Sequence, residues 1–347
     1  MNKKILTFGE TMLRISPQTK EQRIFQTDNF KIEPGGSESN VAVNLSNLGN
    51  KTSFLTKLPD NQLGKIVLRY LNRYNVDTSN IVLGTNRLGI YWTEHGIGPR
   101  ASNVIYDREN SAVNSLDNEE INYKKVFEGV KWFHTSGITP ALSKNCMVVL
   151  DNLLEEAKKL SINISMDLNY RSKLWQWIEN TNFTIEEVMG NIANKCDLLV
   201  GNESDFQNIF GIKSNKDDQL DRYKEIAEKV FNNFSNLKYI AVSLRDSISA
   251  SENIWSGLLF INNKSSIEFI KGNSYHLKNV VDRVGGGDSF ASGIIHGLMN
   301  DMDYEETLEF AVGFSALKHT VRGDISEFSV EDVEHLIETE ASGRIIR

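Results

Sequence analysis

Short apolar runs alternate with amphipathic segments along most of the chain, and this alternation constrains the fold more than any other feature. Segments 5–8, 163–167 and 239–243 have the length and composition of buried strands, whereas 37–48 and 147–160 repeat apolar residues with a helical period. We predict further strands at 53–58, 131–134, 197–200 and 257–262, and further helices at 64–74, 218–234 and 304–317. Together they predict an α/β fold, with a mainly parallel sheet covered by helices on both faces.

Two segments, 13–33 and 88–108, break this rhythm. Each contains short polar–apolar alternations without an intervening helix, as in Ile90-Tyr91-Trp92-Thr93. We interpret them as a few antiparallel strands that form a small β lid, because a lid can exclude water from reactive phosphates. The alternatives are an edge extension of the sheet or a dimer contact. The core would then consist of 1–12, 34–87 and 109–347.

Composition narrows the classes of function. The 347 residues include 38 Lys and Arg against 46 Asp and Glu, a net charge of −8, whereas nucleic-acid binding would need a clustered basic face. Cys146 and Cys196 lie in apolar segments and lack the spacing of a zinc module or a disulfide scaffold. No stretch is long and apolar enough for a signal peptide or a membrane helix. We therefore expect a cytoplasmic protein that binds neither nucleic acid nor membrane.

One glycine-rich segment carries the most specific chemistry. Gly285, Gly286 and Gly287 precede Asp288 and an apolar pattern with helical period. Glycines let the backbone turn sharply and expose N–H groups, and a helix start adds the positive end of a dipole, so the segment suits a phosphate. An Asp here is also an ordinary helix cap. A cap needs neither three glycines nor a second carboxylate at Asp282, so the spacing favours phosphoryl transfer with a carboxylate as proton acceptor.

The segment 282–288 resembles the C-terminal signature of the ribokinase/PfkB family of sugar kinases. Pro34-Gly35-Gly36-Ser37-Glu38-Ser39-Asn40 is similar to the family's other signature, a Gly-Gly pair that opens a helix. The resemblance covers essentially the whole chain. It implies a three-layer α/β/α core with a β lid, and transfer of the γ-phosphate of ATP to a sugar hydroxyl. In the family, Gly35 and Gly36 bring backbone N–H groups to the sugar with Asn40 nearby, and the alternative is a plain helix-start turn.

Other stretches resemble one branch of the family, the 2-keto-3-deoxygluconate kinases. They are Gly9-Glu10-Thr11-Met12-Leu13-Arg14, Val104-Ile105-Tyr106-Asp107-Arg108, the segment 167–175 and the terminal segment 343–347. A sugar acid carries a carboxylate, which Arg binds through a planar fork. Arg108 and Arg171 are therefore the predicted acid ligands, with Tyr91 and Tyr106 supplying hydroxyls and flat walls. The alternatives are surface ion pairs for the arginines and lid packing for the tyrosines.

The resemblance also implies residues that bind ATP and Mg²⁺. Leu199-Val200-Gly201-Asn202-Glu203-Ser204-Asp205 is similar to an Asn-x-x-Glu element that orders Mg²⁺ through water, with Asp205 one methylene shorter than the usual Glu. Arg245 lies where many members have glycines beside the nucleotide, and it meets either a phosphate or solvent. The ATP ligands implied are Asn169, Arg171, Asn202, Arg245, Gly285 and Gly287.

Further implications concern the end of the chain and the assembly. Asp324, in a Gly-Asp turn, is expected near the substrate. A monovalent cation such as K⁺ is implied beside Asp282 and Val284. His134 and His319 lack the pattern of a catalytic triad or a metal site, so we interpret both as structural. We also expect a homo-oligomer, with a dimer through the lid as one arrangement.

The sequence thus predicts in-line phosphoryl transfer without a covalent intermediate. Asp288 is the predicted general base, and backbone N–H groups of 285–288 stabilise charge on the transferred phosphate. One alternative is a kinase for a neutral sugar such as fructose or ribose. Another is a catalytically silent sugar- or nucleotide-binding regulator, which would be marked by loss of the base or of the glycines. A dinucleotide oxidoreductase is disfavoured, because its glycine-rich loop would follow the first strand.

Overall fold

The computed structural model describes residues 3–339, so the terminal segment 343–347 lies outside the described residues. The strands are β1 Lys4–Phe8, β2 Met12–Pro17, β3 Phe30–Gly35, β4 Lys51–Leu55, β5 Lys57–Pro59, β6 Val82–Gly84, β7 Ile90–Glu94, β8 Asn103–Asp107, β9 Val130–Ser136, β10 Asn163–Asp167, β11 Leu198–Val200, β12 Tyr239–Ser249, β13 Glu252–Asn262, β14 Ile267–Lys271 and β15 Tyr275–Leu277. The α-helices are α1 Ser37–Asn47, α2 Gln62–Arg73, α3 Tyr123–Val126, α4 Ile138–Leu142, α5 Lys144–Lys159, α6 Ile185–Ala193, α7 Glu203–Phe210, α8 Gln219–Asn233, α9 Gly286–Met299, α10 Tyr304–Lys318 and α11 Val330–Glu338.

The main sheet has nine strands in the order β14-β13-β12-β11-β10-β9-β1-β4, with β15 beside β13. The six strands from β12 to β4 pair in parallel, and the strands beyond β12 pair antiparallel. Parallel strands joined by helices are buried on both faces, which explains why β11 is three consecutive apolar residues that are all buried. The carboxyl ends of the parallel strands consequently share one edge of the sheet.

Helices cover both faces of this sheet. Successive residues of a strand point to opposite faces, and in β1 Ile5 packs into one apolar cluster whereas Leu6 packs into another. The cluster around Ile5 includes apolar residues of α1, α9 and α10, and the cluster around Leu6 includes those of α5, α6, α7 and α8. The predicted three-layer α/β/α core is therefore confirmed.

The two segments that break the alternation form a separate four-stranded sheet. Its order is β3-β2-β7-β8, with β2 and β7 parallel and the other pairs antiparallel. Phe30 of β3 packs its ring edge-on against Trp92 of β7, with centroids 5.2 Å apart. One short 3₁₀ turn, Ile24–Gln26, interrupts the first segment. The small sheet is formed by the two segments that break the alternation, but the expectation of purely antiparallel strands is wrong, because β2 and β7 come from different segments and pair in parallel. Its action as a lid stays a prediction.

The predicted single strand at 53–58 is wrong. The chain bends after Leu55, so that β4 ends in the main sheet while β5 begins two residues later and pairs in parallel with β6 in a two-stranded sheet. Both halves are largely buried, with burial continuing through Thr56. Because Thr56 and Lys57 continue an extended, largely buried segment and no glycine stands between β4 and β5, the local sequence does not mark the change of direction.

Cys146 and Cys196 are both buried and neither forms a disulfide, in keeping with the apolar segments that carry them. Among residues 3–339, no helix combines the length and the apolar composition needed to cross a membrane.

Candidate active site

A cleft of about 960 Å³ opens at the carboxyl edge of the parallel strands. Asp167 at the end of β10, Asn202 just after β11 and Asp288 in the first turn of α9 lie along its wall, and Tyr91 and Tyr106 of the small sheet line it from the other side. Open α/β sheets bind ligands at this edge, and the volume is that of a site for small molecules. The cleft brings together residues from both of the signatures that the sequence contains.

The glycine loop forms the entrance of α9. Gly285 has φ +81° in the left-handed region, and a Cβ there would overlap the carbonyl oxygen of Asp324. A Cβ on Gly286 would lie 2.7 Å from the imidazole of His319, whereas Gly287 faces open space. No side chain caps the start of α9, so its first N–H groups are available to an anion in the cleft.

Asp288 lies where the starts of α1 and α9 meet. Its Oδ1 accepts a hydrogen bond from Ser37 Oγ at 2.7 Å, and its Oδ2 accepts one from Asn40 Nδ2 at 2.8 Å. Only 9% of the residue is exposed. Burial raises the pKa of Asp288 to about 6, although the two hydrogen bonds favour the charged form. A carboxylate with this pKa is ionised at neutral pH and is a stronger base than an exposed Asp.

A buried ionic network lies behind the glycine loop. Arg14 of β2 donates through Nη2 to Asp282 Oδ2 at 2.5 Å and through Nη1 to Asp324, and Tyr91 donates its hydroxyl to the same Asp324 carboxylate. Burial disfavours ionisation of Asp282, but the neighbouring Arg14 and Lys318 outweigh it and hold the pKa of this carboxyl below its ordinary value. Asp324 therefore lines the cleft with both oxygens already bonded to the protein, and its place near the substrate stays a prediction.

The two arginines predicted to bind an acid group differ in their surroundings. Arg108 lines the cleft, but its guanidinium is paired with Glu10 through Nε, at 2.8 Å, and through Nη2. Arg171 is exposed, and its Nη1 donates to the carbonyl of Tyr170 at 2.9 Å. The guanidinium of Arg171 is thus open to the cleft, whereas the fork of Arg108 is already occupied by a carboxylate. The ligand roles of both stay predictions.

The aromatic wall of the cleft comes from neighbouring strands of the small sheet. The rings of Tyr91 and Tyr106 stack with centroids 5.9 Å apart and planes 30° apart. Tyr91 is buried and Tyr106 is half exposed. The Arg108 guanidinium carbon lies 5.5 Å from the Tyr106 ring centre. Flat surfaces of this kind suit the face of a sugar, so packing within the small sheet and a binding role are compatible here.

The residues implied to order a metal hold the start of α7. Asn202 Oδ1 accepts from the backbone N–H groups of Ser204 and Asp205, at 2.9 and 3.2 Å. The Asp205 carboxylate accepts from the N–H groups of Asn202 and Tyr170, at 3.0 and 3.1 Å. Burial raises the pKa of Asp205 and also raises that of nearby Asp167. Among residues 3–339, no three His, Cys, Asp or Glu side chains converge as direct metal ligands.

Two further arginines lie at the glycine-loop end of the cleft. Arg245 and Arg283 both line it beside the glycine loop. Arg283 Nη2 donates to Asn253 Oδ1 at 2.9 Å, and burial followed by the charge of Arg245 lowers its pKa. Two cations that disfavour one another beside a row of N–H groups form a region suited to several negative charges.

The remaining predicted residues take part in the turns around the cleft. Gly35 ends β3, and a Cβ on it would lie 2.6 Å from an Asp324 oxygen. Gly36 precedes α1, and a Cβ there would overlap the carbonyl oxygen of Glu10. Asn169 has a positive φ of 36° and lines the cleft. The two glycines are thus required by close packing as well as by any contact with a ligand.

Residues 2–234 and 259–331 match the family described as pfkB family carbohydrate kinase. The chain belongs to this family. The 2-dehydro-3-deoxygalactonokinase of Haloferax volcanii is 30% identical over 337 residues, which cover 97% of each chain. The 2-dehydro-3-deoxygluconokinase structure from Thermotoga maritima has a TM-score of 0.90 at 40% identity, covering 97% of this chain and 99% of that one. A fructokinase structure with bound ATP from Xylella fastidiosa shares the fold, with a TM-score of 0.78, 17% identity and coverage of 99% and 100%.

Family membership makes this chain a carbohydrate kinase and confirms the family predicted from the two signatures. The sequence analysis assigned no role to several residues in or beside this cleft, among them Ser37, Arg14 and Asp167. Ser37 follows the Gly-Gly pair and donates to Asp288. Arg14 is the last residue of the stretch 9–14 and donates to Asp282, and Asp167 is the first residue of the stretch 167–175 and lines the cleft. All three stand inside stretches already quoted for their resemblance, so adjacency to a glycine turn or to a strand end was the available signal.

The two histidines interpreted as structural lie in different places. His134 is fully buried in β9, where its Nδ1 lies 2.8 Å from Ser165 Oγ. His319 lines the cleft of the kinase, its ring 4.7 Å from that of Trp255, with Nδ1 2.7 Å from the carbonyl oxygen of Ser315. Burial lowers the pKa of His319 to about 4, so a neutral imidazole forms part of the wall.

Proposed function

We propose that this kinase transfers the γ-phosphate of ATP to the terminal hydroxyl of 2-keto-3-deoxygluconate and forms the 6-phosphate. The observation that carries the proposal is the buried Asp288 carboxylate, held by α1 at the uncapped start of α9. The choice of a sugar acid rests on the 2-dehydro-3-deoxy sugar-acid kinases to which the chain is similar, 2-dehydro being another name for 2-keto. The exposed guanidinium of Arg171 in the cleft supports the same choice.

In the proposed reaction, Asp288 accepts the proton of the attacking hydroxyl as the oxygen bonds to the γ-phosphorus. Ser37 and Asn40 orient this carboxylate, because each donates to a different oxygen of it. The N–H groups at the start of α9 stabilise the charge on the transferred phosphoryl group. Binding both substrates in one cleft replaces a bimolecular encounter by a positioned one. The β-phosphate of ATP is the leaving group and departs in ADP.

The nucleotide is proposed to lie along β11, β12 and the glycine loop. Asn202 and Asn169 face this part of the cleft, and Arg245 and Arg283 place positive charge beside it. Arg245 is exposed and free to bend toward a phosphate, whereas Arg283 is anchored to Asn253. Two arginines here are consistent with a triphosphate rather than with a neutral cofactor.

The residues present fit Mg²⁺ held through water and phosphate. Each Asp205 carboxylate oxygen accepts one backbone N–H group, which leaves it a further lone pair for ordered water. Asn202 Oδ1 already accepts two N–H groups, so Asn202 holds the start of α7 beside this carboxylate. Mg²⁺ keeps several waters and binds phosphates with few direct protein ligands. When bound, the metal would neutralise charge on the phosphate oxygens.

The acid group of the substrate is proposed to meet Arg171, with Tyr91 and Tyr106 forming the adjoining wall. Arg108 supports this wall, because its ion pair with Glu10 fixes its guanidinium beside the Tyr106 ring. A free fork is what a carboxylate ligand requires. If Arg171 does not bind the substrate, the same cleft fits a kinase for a neutral sugar such as fructose, which is the main alternative.

The test is an ATP-consumption assay with Mg²⁺ against 2-keto-3-deoxygluconate, 2-keto-3-deoxygalactonate, fructose and ribose. Turnover on the keto-deoxy acids, with the gluconate epimer preferred and the neutral sugars inactive, is the expected result. Turnover confined to fructose or ribose would be compatible with Asp288 as the base but would contradict the proposed acid-binding pocket. Binding of ATP by a folded protein that turns over none of the four would instead favour a regulator without activity on this class of sugar.

A further inference from the structure

Lys318, the last residue of α10, is fully buried. Its Nζ donates to the backbone carbonyl of Asp282 at 3.1 Å. Fully buried lysines are rare, because removing an ammonium from water is unfavourable unless charges compensate it. The position of this ammonium, directly behind the glycine loop, therefore needs an explanation beyond packing.

Two buried cations, Lys318 and Arg14, balance two buried carboxylates, Asp282 and Asp324, around this point. Asp282 and Asp324 are the carboxylates that act most strongly on the charge of Lys318, and Asp288 acts more weakly. The cation that acts on it is Arg14. Burial lowers the pKa of Lys318, whereas Asp282 and Asp324 oppose that change. Without the ammonium, two carboxylates would share a single Arg14 guanidinium inside the protein. Lys318 thus supplies the second positive charge that the buried site requires.

The bond from Lys318 is one of several that hold the segment just before the glycine loop. Val281 N–H donates to the His319 carbonyl at 2.8 Å, and Gly323 N–H donates to Asp282 Oδ2 at 3.2 Å. Asp282 Oδ1 in turn accepts from Val284 N–H at 3.1 Å. With the bond from Lys318, the residues just before the three glycines are held from several sides by the end of α10 and the turn that follows it.

A monovalent cation such as K⁺, which the family resemblance implied beside Asp282 and Val284, does not fit these residues. A cation there would need the Asp282 oxygens, yet the carbonyl oxygen already accepts from Lys318 and the carboxylate from Arg14. A third positive charge would have no carboxylate left to balance it. The charges of these residues therefore balance without a bound cation.

We infer that the Lys318 ammonium occupies the place of a monovalent cation behind the glycine loop, so that this kinase works without potassium. The inference rests on the kinase activity and not on which sugar acid is the substrate. Lys318 is a positioning residue, because it acts on the phosphate site through the Asp282 carbonyl and touches neither substrate.

The wild-type enzyme provides the first test. Turnover is measured with whichever sugar proves active, in potassium chloride and in choline chloride at equal ionic strength, and the thermal unfolding midpoint is measured in both salts without substrate. We expect equal turnover and equal midpoints. Activation by potassium, or a midpoint raised selectively by potassium, would overturn the inference. The unfolding measurement needs no sugar, so it stands even where the proposed substrate fails.

Two variants provide the second test. Lys318→Ala removes the ammonium and leaves space, and we expect it to lower kcat by about 10–100-fold because the loop moves by a fraction of an ångström to an ångström. Potassium, but not choline, should restore part of the rate and raise the unfolding midpoint. Lys318→Met removes the charge but fills the space, so it should lose rate without rescue. Absence of a selective potassium response in a folded Lys318→Ala protein would overturn the assignment.

Discussion

At the scale of single residues, the protein keeps a carboxylate in a place that is unfavourable for its charge. Asp288 is almost fully buried, and burial raises its pKa to about 6. Ser37 and Asn40 offset part of this penalty by donating to its two oxygens. A group held in this way is a stronger base than an exposed Asp, so stability and reactivity are opposed at one residue.

Replacing the carboxylate tests both sides of this opposition. Asp288→Asn should lower turnover by roughly 10²–10⁴-fold, the range for a general base. Because the folded-state pKa lies above the ordinary value, the folded protein loses stability as pH rises from about 4 to about 6. The variant should therefore be more stable than the wild type at pH 8, by up to about 3 kcal/mol, and should lose most of this advantage at pH 4. Urea unfolding at both pH values measures it.

Near-normal turnover in Asp288→Asn would contradict the role of this residue as the base. A variant that is less stable than the wild type at pH 8 would contradict the electrostatic argument, and would mean that the lost hydrogen-bond acceptor outweighs the relieved charge.

The hydroxyl of Ser37 provides a pH-dependent test. Ser37→Ala removes a donor to Asp288 Oδ1, which destabilises the charged carboxylate and raises the pKa of Asp288 further. The acid limb of the kcat/KM profile should therefore move to higher pH. Ser39→Ala is the matched control, since Ser39 Oγ donates to the Gly36 carbonyl and not to Asp288. Ionisation of ATP is common to all three proteins, so an equal shift in the control would discount the effect of Ser37.

At the scale of elements, two helix starts that are distant in sequence converge on one point. The first turn of α1 supplies donors to Asp288, and the first turn of α9 supplies Asp288 itself and free N–H groups. The parallel order of the sheet brings both starts to the carboxyl edge of the strands. The small sheet then adds arginine and tyrosine side chains from β7, β8 and the residue after β8.

Arg108 and Arg171 should respond differently to replacement by alanine. Arg108→Ala leaves the buried Glu10 carboxylate with Ser111 as its remaining side-chain donor, and should destabilise the protein by roughly 3–5 kcal/mol. Arg171→Ala removes an exposed side chain and should change stability by less than about 0.5 kcal/mol. It should nevertheless raise KM for the sugar acid and spare any activity on neutral sugars. Urea unfolding and KM values for both variants check this.

An unchanged KM in Arg171→Ala would remove that residue from the acid site. If Arg108→Ala instead folded with wild-type stability and lost affinity for the acid, then its bond to Glu10 would be one that the substrate replaces.

At the scale of the whole molecule, one buried arginine joins the small sheet to the core. Arg14 belongs to β2, and it pairs with Asp282 and Asp324, which lie in the core segments on either side of α9 and α10. All three side chains are at most 4% exposed. The orientation of the small sheet over the cleft thus depends on the Asp282 and Asp324 carboxylates of the core.

Removing this link should weaken the fold in a pH-dependent way. Arg14→Met leaves two buried carboxylates without their main partner, and should lower the free energy of unfolding by roughly 3–5 kcal/mol at pH 7. The pKa of Asp282 is held low in the folded state, so its stabilisation is present above the ordinary pKa and is lost as pH falls through the folded value. The deficit should therefore narrow toward pH 3.5, as measured by urea unfolding.

The double variant Arg14→Met/Asp324→Asn serves as the control for this prediction. It should recover part of the lost stability, because it removes one of the stranded charges. A deficit that does not depend on pH would indicate lost packing of the Arg14 stem rather than lost charge.

Local signals were sufficient for much of the fold. The predicted strand 163–167 coincides with β10, and the predicted helix at 37–48 differs from α1 by one residue, because period and length were unambiguous in both. The strand predicted at 53–58 was wrong, because β4 and β5 are both largely buried, extended and separated by one residue, and only their pairing partners distinguish them. Pairing depends on strands that lie elsewhere in the chain, so no local pattern contains it.

The sequence by itself determined the α/β class, the glycine-rich entrance to α9 and the carboxylate that follows it, because each depends on residue types at short spacing. Only the tertiary structure decided which of the charged residues are partners. It paired Arg108 with Glu10, left Arg171 exposed and buried Lys318 against the carbonyl of Asp282. These outcomes depend on distances between atoms far apart in the chain, and an arginine or lysine has the same local signature whether it meets a ligand, a carboxylate or water.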